Sequence, residues 1–154
     1  MNSGLQRVRG IADYQFGPGT GSVLFPEDVR FERSKSTGKI RFIFLRDQLL
    51  ASLRPNDGVL TLTIAGAERV TSGQFRYSVT VMDDVSEVIS QGKNVFSRHV
   101  VEAGDAIRPG DEVVVVDSGR KVLAVGKAML NRGEMLSFKT GVAVRTRRGR
   151  ERDR

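Results

Sequence analysis

Four consecutive valines, Val113, Val114, Val115 and Val116, stand between the turn Arg108-Pro109-Gly110-Asp111 and the turn Ser118-Gly119. An apolar run of this length between turn signals reads as a buried strand. A buried strand constrains the fold, because the elements around it must cover it. Further short runs at 79–82, 95–101, 121–130 and 142–148 read as strands separated by glycine turns. Many short strands of this kind argue for a small, partly closed β-barrel. Gly126, inside one of them, predicts a bulge or a close backbone contact. Asn131-Arg132-Gly133 reads as a turn and 134–138 as one helical turn.

Between the strands at 79–82 and 95–101 the spacing predicts a short helix over 84–91. Asp84 can cap it, with Glu87 completing a capping box, and Val85, Val88 and Ile89 fall on one face. Gly92 stands where a left-handed cap belongs, and without a Cβ it lets another backbone approach. Lys93 and Asn94 follow, a cation and an amide, and then Val95. Such a helix end can dock a phosphate backbone, or it can be an ordinary helix stop with a solvated lysine. On the last strand Val142 and Val144 point one way, and Ala143, Arg145 and Arg147 the other. If that strand lies beside the Gly92 loop, the two arginines join Lys93 in one patch. The pattern does not supply that adjacency.

The first half mixes helix and strand. Ser3 and Gln6 form a candidate capping box ahead of Leu5, Val8, Ile11 and Ala12 at helical spacing, and Gly17-Pro18-Gly19 ends that helix. Residues 22–25 read as a short strand. Residues 29–34 and 39–45 form a hairpin around Lys35-Ser36-Thr37-Gly38. Alternation places Ile40, Phe42 and Phe44 on one face of its second strand, with Lys39 and Arg41 on the other. Six cations and one acid lie between Arg30 and Arg46, so this face is either a phosphate-binding surface or a solvated one. Strands at 49–53 and 59–63 flank the turn Arg54-Pro55-Asn56-Asp57-Gly58, and 64–70 is a short helix. This half is α+β, a helix packed on an antiparallel sheet.

Charge bears on the partner. The formal net charge is +7. Residues 1–78 carry a net +4, residues 79–144 a net −1, and the last ten residues, with six arginines, a net +4. A basic chain of this size favours polyanions. No apolar run approaches the ~20 residues of a membrane span. The first residues lack the apolar segment of a signal peptide, and there is no cysteine. These features suit a cytoplasmic protein. Past Gly149 the tail has no apolar residue and is expected to be disordered.

Nothing here reads as catalytic machinery. Asp83-Asp84 and Asp111-Glu112 sit at element starts, where caps and turns explain them. His99 is the single histidine and alternates with apolar residues in a strand. Gly17-Pro18-Gly19-Thr20-Gly21 lacks the lysine and spacing of a phosphate-binding P-loop. No metal site and no cofactor is expected.

The run Gly110-Asp111-Glu112-Val113-Val114-Val115-Val116 resembles the PUA domain, as do Ala124-Val125-Gly126-Lys127-Ala128, Glu134-Met135-Leu136 and Lys139-Thr140-Gly141-Val142-Ala143-Val144-Arg145. Gly92-Lys93-Asn94-Val95-Phe96 sits where that family has its helix-to-strand glycine. Ile11-Ala12-Asp13-Tyr14-Gln15-Phe16-Gly17, Ser34-Lys35-Ser36-Thr37-Gly38-Lys39-Ile40-Arg41 and Leu53-Arg54-Pro55-Asn56-Asp57-Gly58 resemble the small domain that precedes the PUA domain in archaeal tRNA-guanine transglycosylases and archaeosine synthases. The resemblance implies an α+β domain over 1–77, a mainly-β PUA pseudobarrel over 78–149 and a basic tail over 150–154. It implies binding of tRNA at the acceptor stem and 3′ end by Gly92, Lys93, Asn94 and Val95 with Arg145 and Arg147. Arg98 and Arg148 join by proximity in sequence, and Lys39 and Arg41 come from the charge pattern alone. The catalytic barrel of that family needs about 200 residues or more, and the family's zinc site needs cysteines, so the expectation is a non-enzymatic RNA-binding protein. Its partners would be tRNA or another structured RNA and a separately encoded catalytic transglycosylase subunit. A ribosome- or translation-associated PUA protein and a protein–protein adaptor are the alternatives.

Overall fold

The computed structural model describes residues 3–152, and the chain divides into two compact units, Met1–Gly73 and Gln74–Arg154. In the first unit α1 (Ser3–Phe16) buries Leu5, Val8, Ala12 and Phe16. Spacings of three and four keep those side chains on one stripe. Gly17, at φ 110°, ends the helix. A second helix, α2 (Thr20–Leu24), follows where a strand over 22–25 was expected. Gly21 decides this. A Cβ there would lie 2.3 Å from the Arg9 carbonyl oxygen, so the missing side chain lets α2 press onto α1. Its N–H donates to the Asp13 carboxylate at 2.7 Å.

The sheet of this unit is an antiparallel meander of β1 (Arg30–Arg33), β2 (Ile40–Leu45), β3 (Gln48–Leu53) and β4 (Leu60–Leu62). The expected alternation along β2 fails. Ile40, Ile43 and Leu45 are buried, whereas Phe42 and Phe44 are half-buried. The register against β1 explains the difference: Glu32 pairs with Phe42 and Arg33 with Ile40, so Arg41 is an extra, unmatched residue on β2. A bulge moves the following side chains to the other face. Phe42 and Phe44 lie instead under the guanidinium groups of Arg41 and Arg30, 5.3 and 4.3 Å from the ring centroids. Gln15 of α1 holds the edge strand β4. Its amide donates to the Leu60 carbonyl and accepts from the Leu60 N–H, both at 2.8 Å, which satisfies an edge that lacks a neighbouring strand. The helix at 64–70 forms as read: α3 (Ile64–Val70) is capped by the Thr63 hydroxyl, which accepts from the Gly66 N–H at 3.1 Å.

The second unit contains β5 (Ser78–Val81), α4 (Ser86–Ser90), β6 (Val95–Phe96), β7 (Val100–Ala103), β8 (Glu112–Val116), β9 (Val122–Ala128), α5 (Arg132–Ser137) and β10 (Val142–Gly149). The strand order is β6-β10-β9-β8-β5-β7, with β5 and β8 parallel. β6 and β7 hold opposite ends of this order, yet one 3₁₀ turn, Ser97–His99, separates them in sequence. Two such strands can occupy opposite edges only if the sheet curls round on itself, giving a nearly closed barrel. The strand expected over 95–101 is therefore broken in two. The Ser97 N–H bonds to the Gly141 carbonyl at 3.0 Å, while the Met82 N–H bonds to the His99 carbonyl at 3.0 Å. All five residues of β8 are buried. Val79, Ile89, Val95, Leu123, Met135 and Val144 join Val113 and Val115 in one core.

The helix before Gly92 is shorter than the pattern implied. It opens as a 3₁₀ turn, Asp83–Val85, and neither that turn nor α4 has a side-chain cap. The capping box at Asp84 and Glu87 does not form. Ile89 reaches the core, but Val88 is 51% exposed, because a helix this short has no room for a full apolar stripe. The cap box of this unit is elsewhere, at the start of α5. The Asn131 side chain accepts from the Glu134 N–H at 2.9 Å and the Glu134 carboxylate from the Asn131 N–H at 3.0 Å. Asn131→Ala is expected to cost about 1 kcal/mol, lowering the unit's melting temperature by roughly 5 °C in a thermal scan. Residues 150–152 form a 3₁₀ turn in which Arg150 Nε donates to the Val122 carbonyl, so the chain stays folded past Gly149. Residues 153–154 of the expected tail lie outside the described residues.

Candidate nucleic-acid interface

The C-terminus of α4, the loop after it and β10 make one strip. The Gly92 N–H bonds to the Ile89 carbonyl at 2.9 Å and the Lys93 N–H to the Val88 carbonyl at 3.4 Å. With Gly92 at φ 103°, this is a Schellman stop of the kind a glycine permits. The stop turns Lys93 and Asn94 outward, and both are exposed.

The adjacency that the sequence left open is made by two contacts. The Asn94 side-chain Oδ1 accepts from the Thr146 N–H at 3.0 Å, leaving its NH₂ donors to the surface. A Cβ on Gly149 would stand 2.3 Å from the Ser90 carbonyl oxygen and 2.5 Å from the Gly92 nitrogen, so β10 rests directly on the helix end. Val142 and Val144 pair with Phe96 and Val95 of β6. Gly92, Lys93, Asn94, Arg145, Arg147 and Arg148 thus come together along β10. Val95 belongs to the core and is fully buried, backbone included, so it presents no atom to a ligand and leaves the candidate surface. Lys39 and Arg41 lie in the first unit.

The arginines of β10 are not equivalent. Arg145 is exposed and faces Lys127 of β9 in register. Arg147 sits in a bulge, where the register shifts between Thr146 and Arg148. It forms a two-pronged pair with Glu112, Nη1 to Oε1 at 2.7 Å and Nη2 to Oε2 at 2.6 Å. The Glu112 side chain is only 4% exposed, that of Arg147 39%. Arg147, expected to contact RNA, therefore also neutralises a buried carboxylate. Gly126 answers to its expected role: a Cβ there would meet the Arg145 carbonyl oxygen at 2.3 Å. At the other end of the strip Arg98 is exposed, its guanidinium carbon 5.2 Å from the centroid of Phe96, which is 39% exposed.

Two candidates escaped the sequence reading. Lys127 became visible only through strand register. Phe96 stood in a quoted motif, but its exposure depends on where β6 ends. Three of the four paired acids, Asp83, Asp111 and Glu112, have structural work. The Asp83 carboxylate accepts from the Ser118 hydroxyl and N–H at 2.6 and 2.9 Å, and these bonds hold its pKa below the ordinary range. Asp111 accepts from the Arg108 N–H at 2.8 Å in the turn before β8. Among the described residues no three metal-ligating side chains gather, and no helix is long and apolar enough to cross a membrane.

Comparison with known proteins agrees with the two-unit architecture. Residues 6–74 match the patch-forming domain C2 of tRNA-guanine transglycosylase, and residues 77–150 match the PUA domain. A tRNA-guanine(15) transglycosylase from Methanothermobacter thermautotrophicus is 43% identical over 147 residues, covering 94% of this chain and 22% of that protein. The chain thus spans about a fifth of that relative's length. Among solved structures, a hypothetical protein of Pyrococcus horikoshii superposes with a TM-score of 0.75 at 19% identity, covering 95% of this chain and 89% of that one. A conserved PUA domain protein from Thermoplasma acidophilum superposes at 0.58 with 25% identity, covering 70% and 68%.

Proposed function

We propose that this chain, whose residues 6–74 match the C2 domain of tRNA-guanine transglycosylase and whose residues 77–150 match the PUA domain, binds tRNA and acts without catalysis of its own. It would supply grip on the acceptor stem and 3′ end to a separately encoded catalytic transglycosylase subunit, in the cytoplasm where tRNA is modified. The observation that carries this reading is the Asn94–Thr146 bond, which joins the glycine loop to the arginine strand.

The mechanism is docking of the phosphate backbone. Lys93, Arg145 and Lys127 supply charge, and the Gly92 backbone and the Asn94 amide reach between phosphates. Phe96, under Arg98, offers a ring on which an unpaired base can stack. Arg148 extends the cationic edge, while Arg147 holds the strand in place through Glu112.

Fluorescence anisotropy tests the proposal, with intact tRNA and tRNA lacking its 3′ single-stranded end across a salt series. Lys93→Ala/Arg145→Ala is expected to weaken binding of intact tRNA about tenfold and to reduce the salt slope by roughly 0.7–0.9 per lost phosphate contact. Trimming is expected to weaken the native chain in the same way. Equal binding of both RNAs, with no effect of the variant, would remove the acceptor-end reading. The ribosome-associated and adaptor readings would then take its place.

A further inference from the structure

We infer that the first unit carries its own phosphate-binding cleft, built between two matching hairpin turns and the start of α1, and that it takes the sugar–phosphate backbone of RNA. The inference rests on the tRNA-binding reading for the identity of the polyanion. The site itself stands on the geometry of this unit.

The turns 34–38 and 54–58 join β1 to β2 and β3 to β4, so they lie at the same end of the meander. Their hydrogen bonds are the same. The Gly38 N–H bonds to the Ser34 carbonyl at 2.8 Å and the Ser34 N–H to the Lys39 carbonyl at 2.8 Å. The Gly58 N–H bonds to the Arg54 carbonyl at 2.9 Å and the Arg54 N–H to the Val59 carbonyl at 3.0 Å. Both glycines have positive φ, 73° and 69°. A cleft of about 890 Å³ opens between these turns and α1.

Its lining is cationic. Five basic side chains, Arg7, Arg33, Lys39, Arg41 and Arg54, face one acid, Asp57. Asp57 is already neutralised. Arg54 donates to both of its oxygens and holds its pKa below the ordinary carboxylate value. Arg33 is held over the first turn, its Nη1 donating to the Gly38 carbonyl at 3.0 Å, with its charge uncancelled by that bond. The Nε of Arg41 is buried without a hydrogen-bond partner, an arrangement that folded proteins seldom leave in place without a use for it. Ser36 and Thr37 add hydroxyl groups. Uncompensated guanidinium groups beside hydroxyls suit phosphate oxygens. The volume exceeds what one phosphate group fills, which favours a stretch of backbone.

The test uses the full chain and the same tRNA titrations. Arg7→Gln/Lys39→Gln removes two exposed cations, and a second, triple variant adds Arg41→Gln. Each is expected to bind intact and 3′-trimmed tRNA about tenfold more weakly, with the salt slope lowered by roughly 0.7–0.9 per cation. Loss on both RNAs separates this cleft from the β10 strip, whose variant loses affinity for intact tRNA alone. If the triple variant does not fold, the exposed pair still decides. Unchanged affinity and slope in the exposed pair overturn the inference, whatever Lys93→Ala/Arg145→Ala does. Inorganic phosphate and AMP are titrated in parallel, watching the Gly38 and Gly58 amide resonances. Saturable shifts with AMP and none with RNA would make this a mononucleotide site and overturn the backbone reading. Stronger competition by poly-glutamate than by an RNA of equal charge would overturn it in favour of an acidic protein partner.

Discussion

Gly149→Ala is expected to destabilise the second unit by about 3 kcal/mol, the upper end of overpacking costs, and to lower its melting temperature on the order of 15 °C. The reason is space. The new Cβ would sit 2.3, 2.5 and 2.8 Å from the Ser90 oxygen, the Gly92 nitrogen and the Ser90 carbonyl carbon. These are backbone atoms, which cannot rotate away as a side chain can. Relief requires the end of α4 and its loop to part from β10, and that would pull Asn94 from Thr146. Stability and tRNA affinity should therefore fall together. Gly10→Ala is the control. It lies within α1 and has nothing within 4 Å of the added atom, so it is expected to gain roughly 0.5–1 kcal/mol from helix propensity. Equal melting of Gly149→Ala and the native chain would refute the close packing of strand and loop.

Arg147→Ala is expected to cost about 3 kcal/mol, the lower end of the range for stranding one member of a buried ion pair. The lower end applies because the Arg147 side chain is 39% exposed, so some water can follow when it is removed. Glu112 would keep its charge in a position 4% exposed. The double change Glu112→Leu/Arg147→Leu should recover most of the loss, since an apolar pair of similar volume commonly matches a buried ion pair in stability. Thermal melting of the three chains settles the matter. If Arg147→Ala melts like the native chain, Glu112 does not depend on this partner. A drop in RNA affinity for Arg147→Ala would carry little meaning by itself, because the strand it helps hold is the proposed binding strip.

The legible parts of the chain were those in which local rules agree with one another. The valine run of β8, the turns closed by Gly38 and Gly58, the helix 64–70 and the glycine stop at Gly92 formed as read, since propensity, turn chemistry and hydrophobic period coincide there. The misreadings share a cause. Residues 22–25 are apolar enough for a strand, but Gly21 packing on Arg9 makes them helical. Phe42 and Phe44 were expected inside, but a bulge turned Ile43 and Leu45 inward. The run 95–101 looked continuous, but residues 97–99 turn a corner between opposite edges of the sheet. At Asp84 a capping pattern was present and unused.

The division for the candidate site follows the same line. Residue type and short spacing are local properties, and they sufficed for the glycine loop, the basic last strand, and the α+β and mainly-β halves. Which residues face each other across strands is not local. Lys127 beside Arg145, Asn94 beneath Thr146, Glu112 buried against Arg147, and two hairpin turns walling one cleft all follow from register and sheet order. Those are decided by how bulges shift the strands and how the sheet curls, and a single bulge reverses every alternation beyond it.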